Sequence, residues 1–269
     1  MAEPRASGLL RDTAASFHMH RFFLPPEQCR GATLSLTGRE AHHAQHVLRI
    51  RDGERVTVLD GAGHEFWCAV EESDRHQVRL AVLETRSQPA PSTQVTLLQA
   101  IPRGKSMEVI VQKATELGAF RIVPLLSERV VLHLGEQDGA QKAAKWRLVA
   151  QEAIKQCGSA WLPQVEPPLT PDQFLARREA IQLPLIASLA TGSRPAREYF
   201  RAFQTSHGRM PTSVCVWIGP EGDFTPAETM AITAGGALPI TLGPLVLRAE
   251  TAALYCLSVL HYELQFPPP

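Results

Sequence analysis

Two segments near the end of the chain each read as a short strand, a turn with glycine and proline, and a helix. In the first, residues 213–218 are rich in β-branched and aromatic side chains, which is typical of a buried strand. Gly219 and Gly222 then permit backbone conformations and close approaches that a Cβ atom would prevent. Thr225 and Glu228 have the spacing of a helix capping box. The pattern predicts a βα turn fixed at both ends, either an ordinary turn or a loop that binds a polar ligand.

The second segment predicts a strand over 239–242 and a helix over 248–264, because apolar residues recur there at helical spacing. Arg248 lies near the start of that helix, where the helix dipole disfavours positive charge. We therefore expect Arg248 to have either an ion-pair partner, such as Glu250, or a functional role.

Strands and helices alternate through residues 94–265. This alternation predicts an α/β fold with a mostly parallel sheet that is covered by helices on both faces. No glycine motif of the dinucleotide-binding or Walker type occurs, which disfavours a Rossmann dehydrogenase or a P-loop enzyme. The predicted strands are 95–100, 121–126, 184–189, 213–218 and 239–242.

The first third of the chain has a different pattern. Residues 19–86 contain short alternating runs separated by glycine turns, with a helical stretch near 40–49, and they predict a small β-barrel. Residues 1–18 have no periodicity and no apolar region of the secretory-signal kind, so we expect either a disordered extension or a true start at Met19. Residues 87–93, with proline and serine, predict the linker.

Composition restricts the functional classes further. The 269-residue chain has no apolar run of about 18 residues, so no membrane span is expected. Its five cysteines are far apart and lack CxxC spacing, which argues against a disulfide framework or a zinc site and favours a cytoplasmic protein.

Positive charge is unevenly distributed along a chain whose formal net charge is zero. Zero net charge argues mildly against a nucleic-acid partner, but residues 103–155 carry nine Lys or Arg against six Asp or Glu. These residues predict either a basic face or ordinary solvated helix surfaces. The candidate members of the face are Arg103, Lys105, Lys113, Lys142, Lys145 and Arg147.

Together, the two C-terminal segments resemble the signature of the RsmE-like family, which belongs to the SPOUT class of S-adenosylmethionine-dependent RNA methyltransferases and methylates N3 of a uridine in small-subunit (16S) ribosomal RNA. The resemblance covers nearly everything from Met19 to Leu264. Several ordered blocks are more specific than any one of them. The further blocks are Met19–Leu24, His42–His43, Val47–Arg49, Asp60–Gly63, Ile101–Lys105 and Gln112–Gly118.

For the fold, the resemblance implies a PUA-like RNA-binding β-barrel over 19–86, followed by a SPOUT trefoil-knotted parallel-sheet methyltransferase domain over 94–265. It also implies a homodimer, with S-adenosylmethionine bound within three loops. The cofactor-binding residues expected on that basis are Ser188, Leu189, Ile218, Gly219, Glu221, Gly222, Leu242, Gly243, Leu247 and Thr251.

Methylation of uridine N3 requires a base and a cationic stabiliser, so we expect Arg248 to stabilise negative charge on the uridine or to position it, and Glu221 or Glu250 to assist removal of the N3 proton. The alternative for either glutamate is an ion pair with Arg248 or a helix-capping role. The sulfonium is itself a strong methyl donor, so no metal is expected. His42, His43 and His46 lie close together, and His42 with His46 has the i, i+4 spacing of a metal pair, but no nearby cysteine or third ligand cluster completes a site. The expected RNA contacts, with ordinary surface charge as the alternative, are Arg21, Arg49, Arg103 and Lys105.

The chain departs from the family pattern at two places. Residues 155–159 read Lys-Gln-Cys-Gly-Ser where the family tends to have Glu-Gln-Ser-Gly-Arg, and Asp223 stands where glycine is frequent. These differences leave the exact RNA target open. Two other interpretations also stay open: a noncatalytic RNA-binding or ribosome-assembly protein on the same fold, and a SPOUT methyltransferase of another nucleotide or of transfer RNA.

Overall fold

The computed structural model describes residues 19–130 and 136–265, so the extension predicted over 1–18 lies outside the described residues. The chain divides after Pro89 into two units, and each is described by itself. The predicted linker, 87–93, spans this division. No helix in the described ranges is both long enough and apolar enough to cross a membrane.

The N-terminal unit is built on one five-stranded sheet. Its strands are β1 (His20–Phe23), β2 (Thr33–Thr37), β3 (Arg55–Leu59), β4 (His64–Ser73) and β5 (Gln77–Ser87). Their order is β1-β3-β4-β5-β2; β1 and β3 are parallel and the other neighbours are antiparallel. A 3-10 turn covers Pro26–Gln28, and helix α1 (Gly38–His42) continues into a π-helical turn over His43–Leu48.

Alternating side chains of these strands form the core of the N-terminal unit. In β5, Val78 and Leu80 are buried, while Gln77 and Arg79 are exposed. Consecutive side chains of a strand point to opposite faces. The alternation that predicts strands in this part of the sequence therefore separates the core face from the solvent face.

The C-terminal unit contains a six-stranded sheet. Its strands are β6 (Gln94–Ala100), β7 (Arg121–Leu125), β8 (Gln164–Val165), β9 (Leu183–Ala187), β10 (Ser213–Ile218) and β11 (Leu238–Ile240). Its helices are α2 (Ser106–Glu116), α3 (Glu136–Cys157), α4 (Pro171–Ala176), α5 (Ala196–His207), α6 (Pro226–Ala234) and α7 (Ala249–Gln265). The strand order is β11-β9-β10-β6-β7-β8 and all neighbours are parallel, which confirms the predicted α/β class.

The two faces of this sheet enter two separate hydrophobic clusters. Leu97 and Val216 pack with helices α2, α3, α5 and α7 on one face. The residues that follow them, Leu98 and Trp217, pack on the other face with Phe174 of α4 and with α6. Helices therefore cover both faces, as the alternation of strands and helices predicts.

The parallel pairing places the carboxyl ends of β9, β10 and β11 side by side. Ala187, the last residue of β9, pairs with Ile240, the last residue of β11, and β10 pairs with β9 on its other side. Both β9 and β11 end two residues earlier than predicted. Ser188, Leu189 and Leu242, which the sequence pattern assigns to strands, therefore lie in loops.

Glu228 joins the start of α6 to the segment after β7. The predicted capping box is confirmed: Glu228 N donates to Thr225 Oγ1 at 3.2 Å, and Thr225 N donates to Glu228 Oε2 at 2.9 Å. The same buried carboxylate also accepts hydrogen bonds from Ser127 Oγ and Glu128 N, each at 3.0 Å. One side chain thus holds together two loops that are about a hundred residues apart in the chain.

We expect Glu228→Ala to lower the free energy of unfolding by about 2–4 kcal/mol, because three donors lose their acceptor at a buried position. Gln173→Ala is the matched control, since Gln173 completes the capping box of α4 from an exposed position and accepts only from Thr170 N in the described structure. Its expected cost is about 1 kcal/mol. Urea unfolding of both variants measures the difference, and equal losses would contradict the bridging role of Glu228.

Candidate active site

A pocket opens at the carboxyl ends of β9, β10 and β11, between the loops that follow them. Eight of the ten predicted cofactor residues line it, whereas Gly222 and Thr251 do not. The parallel register therefore brings three loops that are distant in sequence to one pocket. The predicted residues in the lining are Ser188, Leu189, Ile218, Gly219, Glu221, Leu242, Gly243 and Leu247.

The turn after β10 depends on close backbone packing at Gly219. A Cβ atom there would lie 2.7 Å from Asp223 Oδ1 and 3.1 Å from Phe224 N. Those two atoms are already joined, because Phe224 N donates to Asp223 Oδ1 at 2.8 Å. Gly222 has no positive φ, and its nearest Cβ contact would be 3.4 Å. The predicted steric need therefore applies to Gly219 and is wrong for Gly222.

Two residues in these loops have a left-handed backbone. Asp223 has a φ of 61°, in the region that aspartate tolerates better than most residues with a Cβ atom. Gly243, in the loop after β11, has a φ of 104°, and its N–H donates to Thr241 Oγ1 at 3.2 Å. The turn after β10 thus keeps a conformation that favours glycine although this chain has aspartate there.

The rim of the pocket is apolar. Leu189, Leu245 and Val246 are 64%, 72% and 80% exposed. The enclosed volume is about 80 Å³, below the roughly 300–1,000 Å³ of typical ligand pockets. A ligand of cofactor size would therefore extend over this rim. Neighbouring apolar side chains with such exposure are typical of a surface that another molecule covers.

A second cavity, the basic groove, adjoins the pocket and shares Glu221 with it. Its volume is about 660 Å³. Glu221 lines both cavities, and its Oε1 accepts a hydrogen bond of 2.8 Å from Arg103 N, which belongs to the groove. The basic groove is lined by Ile101, Pro102, Arg103, Gly104, Lys105, Met107, Glu108, Arg129, Val130, Lys142, Trp146 and Glu221.

Three of the six residues predicted for a basic face line this groove: Arg103, Lys105 and Lys142. Lys113 instead pairs with Glu116 at 2.8 Å, and Arg147 donates to a backbone carbonyl. Arg129, which the sequence pattern does not single out, is the fourth cation of the groove and donates to the carbonyl oxygen of Gly222.

Arg248 and Glu250 lie beside the pocket at the start of α7. Arg248 directly precedes the helix, between the lining residues Leu247 and Ala249, and its carbonyl oxygen accepts from Ala252 N at 2.8 Å. Neither Arg248 nor Glu250 is among the lining residues. The side chain of Arg248 is exposed, and it forms no ion pair within the described residues. The pairing with Glu250 that the sequence left open is therefore not seen.

Cysteine chemistry does not contribute to this pocket. Burial raises the pKa of Cys215 in β10 and of Cys256 in α7 to about 12 each. Both thiols therefore stay protonated near neutral pH, whereas a nucleophilic cysteine has to be a thiolate. They act as small packing groups in the core.

In the N-terminal unit, the predicted RNA contacts lie in β1 and at the end of the π-helical turn. Arg21 is partly buried, whereas Arg49 is exposed and has a φ of 54°. His42 and His46 stack with ring centroids 4.5 Å apart. Throughout residues 19–130 and 136–265, no group of three or more His, Cys, Asp or Glu side chains is arranged to hold a metal ion.

The departure over residues 155–159 lies outside the lining of both cavities. Lys155, where the family tends to have glutamate, is 7% exposed and pairs with Glu152 one turn earlier on α3 at 2.9 Å. A local ion pair thus accommodates the reversed charge.

Comparison with known families identifies both parts of the chain. A family model described as an RNA methyltransferase domain matches residues 88–261, and one described as an RNA methyltransferase PUA domain matches residues 36–83. The chain is 30% identical to ribosomal RNA small subunit methyltransferase E of Bacillus subtilis, over 92% of this chain and 98% of the relative. It is 34% identical to the protein of the same name from Synechocystis, over 94% of this chain and 81% of that relative.

Solved structures agree with these sequence relatives. A putative methyltransferase from Legionella pneumophila, in complex with S-adenosylmethionine, is 34% identical and has a TM-score of 0.81, covering 90% of this chain and 96% of its own. The ribosomal RNA small subunit methyltransferase E of Neisseria gonorrhoeae, also bound to S-adenosylmethionine, is 27% identical and has a TM-score of 0.78. The match covers 93% of this chain and 98% of that structure.

We expect Gly219→Ala to lower the free energy of unfolding by about 1–3 kcal/mol, because the added methyl group overpacks the turn against Asp223 and Phe224. Gly222→Ala in the same turn is the matched control and should cost less than about 0.5 kcal/mol, since its Cβ has ordinary space. Urea unfolding measures both. A Gly219→Ala variant as stable as Gly222→Ala would show that the turn does not depend on this close approach.

Proposed function

The chain belongs to the ribosomal RNA small subunit methyltransferase E family, and from that premise we propose that it transfers the methyl group of S-adenosylmethionine to N3 of a uridine in small-subunit ribosomal RNA. The observation that carries the proposal is the pocket at the ends of β9, β10 and β11. It gathers eight of the residues expected to bind the cofactor, directly beside a groove with four basic side chains. The two relatives solved with S-adenosylmethionine bound support this choice of cofactor.

The loops of the pocket fit such a cofactor. Gly219 and Gly243 line the pocket without a side chain, and Leu242, Leu245 and Leu247 give the pocket an apolar side. When bound, S-adenosylmethionine supplies a methyl group activated by its sulfonium. The side chains of the protein then have to orient the RNA base and stabilise charge.

Arg248 is the proposed stabilising or positioning group for the base. Uridine N3 has to lose its proton, and the negative charge spreads to the flanking carbonyl oxygens. Arg248 directly follows the pocket residue Leu247, is exposed, and has no ion pair among the described residues. Its guanidinium group is therefore available to an anionic base.

Glu221 is a better candidate than Glu250 for assisting with the proton. Glu221 lines the pocket, and only its Oε1 is engaged, by Arg103 N, in the described structure. The other carboxylate oxygen is therefore available to a substrate. Glu250 is partly buried in the first turn of α7 and does not line the pocket.

We further infer a homodimer in which a second copy covers the pocket rim. The exposed side chains of Leu189, Leu245 and Val246 support this, because a bound cofactor would otherwise leave them and part of itself in water. Sedimentation equilibrium should then give about twice the 29.6 kDa of the chain. A mass of one chain at micromolar concentration would contradict it.

The proposed setting is the cytoplasm, where small ribosomal subunits are the partner.

The proposed RNA contacts fall in both units. Arg103 and Lys105 line the basic groove, and Arg49 is exposed in the N-terminal unit. Arg21 is partly buried in β1, so only part of its side chain is open to RNA. Arginine and lysine suit this role because RNA affinity comes largely from neutralised phosphates.

Mass spectrometry of nucleosides tests the reaction directly. Unmodified small-subunit RNA is incubated with the protein and S-adenosylmethionine, digested, and separated. N3-methyluridine is the expected product. A different methylated nucleoside would contradict the target, and no product despite measurable cofactor binding would favour a noncatalytic RNA-binding protein.

We expect Arg248→Ala to lower the rate of methyl transfer by about 10²–10³-fold while S-adenosylmethionine affinity changes little, because the arginine acts on charge that develops on the base. Arg201→Ala is the matched control, since Arg201 is an exposed arginine of α5 that lines neither cavity. Single-turnover transfer and calorimetric cofactor titration separate the two effects. Full transfer by Arg248→Ala would remove its catalytic role.

A further inference from the structure

We propose that the basic groove is a subsite for an RNA phosphate next to the target nucleotide, with Lys105, Arg129 and Lys142 among its ligands. This inference rests on the proposed function and adds to it a specific place for the RNA backbone. The groove is separate from the pocket for the cofactor, and only Glu221 lines both.

The groove has more positive than negative side chains. Several cations elsewhere in the C-terminal unit pair with carboxylates: Lys113 with Glu116, Lys155 with Glu152, and Arg197 with Glu263. The four groove cations have no salt bridge to any carboxylate in residues 19–130 and 136–265, although Glu108 and Glu221 line the same cavity. Four cations against two carboxylates leave an excess of positive charge around this cavity, which favours binding of an anion.

The groove combines a large volume with both apolar and basic side chains. Its volume of about 660 Å³ is sufficient for a nucleotide. Ile101, Met107 and Trp146 are buried and give it an apolar floor, while Lys105 is exposed and Lys142 partly exposed at its edge. An apolar floor with cations at the rim fits a nucleotide, whose ribose and base are less polar than its phosphate. A small inorganic anion has no apolar part that would pack against such a floor.

The groove is also connected to the cofactor pocket by hydrogen bonds. Arg129 donates to the carbonyl oxygen of Gly222, and Arg103 N donates to Glu221 Oε1 at 2.8 Å, so two groove residues hold the turn after β10. A carbonyl group does not neutralise the charge of Arg129. An RNA phosphate bound by that arginine would therefore lie against the same turn that lines the cofactor pocket. This placement would orient the neighbouring base towards the cofactor pocket.

Lys142 and Lys145 provide a matched pair for the test, because both are lysines on α3 and only Lys142 lines the groove. Binding of unmodified small-subunit RNA is measured for Lys142→Ala and Lys145→Ala over a range of salt concentrations. We expect Lys142→Ala to weaken binding at least about threefold and to reduce the slope of log affinity against log salt by about 0.7–0.9. Lys145→Ala should match the wild-type protein.

Lys105→Ala is a second variant on another segment of the groove and should behave like Lys142→Ala. Equal effects of Lys142→Ala and Lys145→Ala would overturn the subsite, since they would indicate diffuse surface charge. Titration with inorganic phosphate tests whether the groove is a site for a free anion instead of RNA. Loss of phosphate binding in Lys142→Ala with RNA affinity unchanged would also overturn the proposal.

The methylation assay separates this inference from the proposed function. If the wild-type protein forms N3-methyluridine while Lys142→Ala and Lys145→Ala bind RNA equally, the subsite fails and the function stands. If RNA binding depends on Lys142 but no methylated nucleoside forms, the subsite stands and the function fails.

Discussion

The parallel register of β9, β10 and β11 is the constraint on which the rest of the site depends. Parallel strands present their carboxyl ends at one edge of a sheet, and ligands of open α/β sheets bind at that edge. Because β10 lies between β9 and β6, the turn after β10 has a pocket-forming loop on one side and the segment Ile101–Lys105 on the other. The strand order alone therefore places the pocket and the basic groove next to each other, with Glu221 between them.

Long-range side-chain contacts then fix the turn after β10. Glu228 holds the helix that follows the turn to Ser127 and Glu128, and Arg129, from the same segment, reaches the carbonyl oxygen of Gly222. The segment after β7 thus supports the turn at two points. A buried carboxylate with several donors gives a defined geometry, because any displacement leaves polar groups unpaired.

Local features of the site could be predicted from the sequence, and features that depend on distant residues could not. The capping box of Thr225 and Glu228 is a pattern within four residues, so it is visible in the sequence. Arg129 has no local signal, because its contact with Gly222 depends on β7 and β10 both pairing with β6. Within the turn after β10, close packing requires a glycine at Gly219, and Asp223 has the left-handed backbone, whereas Gly222 has neither feature. The sequence pattern does not show which of these positions has which role. The trefoil knot stays a prediction, since periodicity carries no information on chain threading.

The central claim is that the three loops after β9, β10 and β11 hold S-adenosylmethionine while the basic groove receives RNA. A crystal structure of the protein grown with S-adenosylmethionine tests it most directly. The account predicts cofactor density against the residues of the three loops, near Ser188, Gly219 and Gly243, with the groove left free of cofactor. Density for the cofactor in the groove beside Arg129 and Lys142 would contradict the assignment of both cavities.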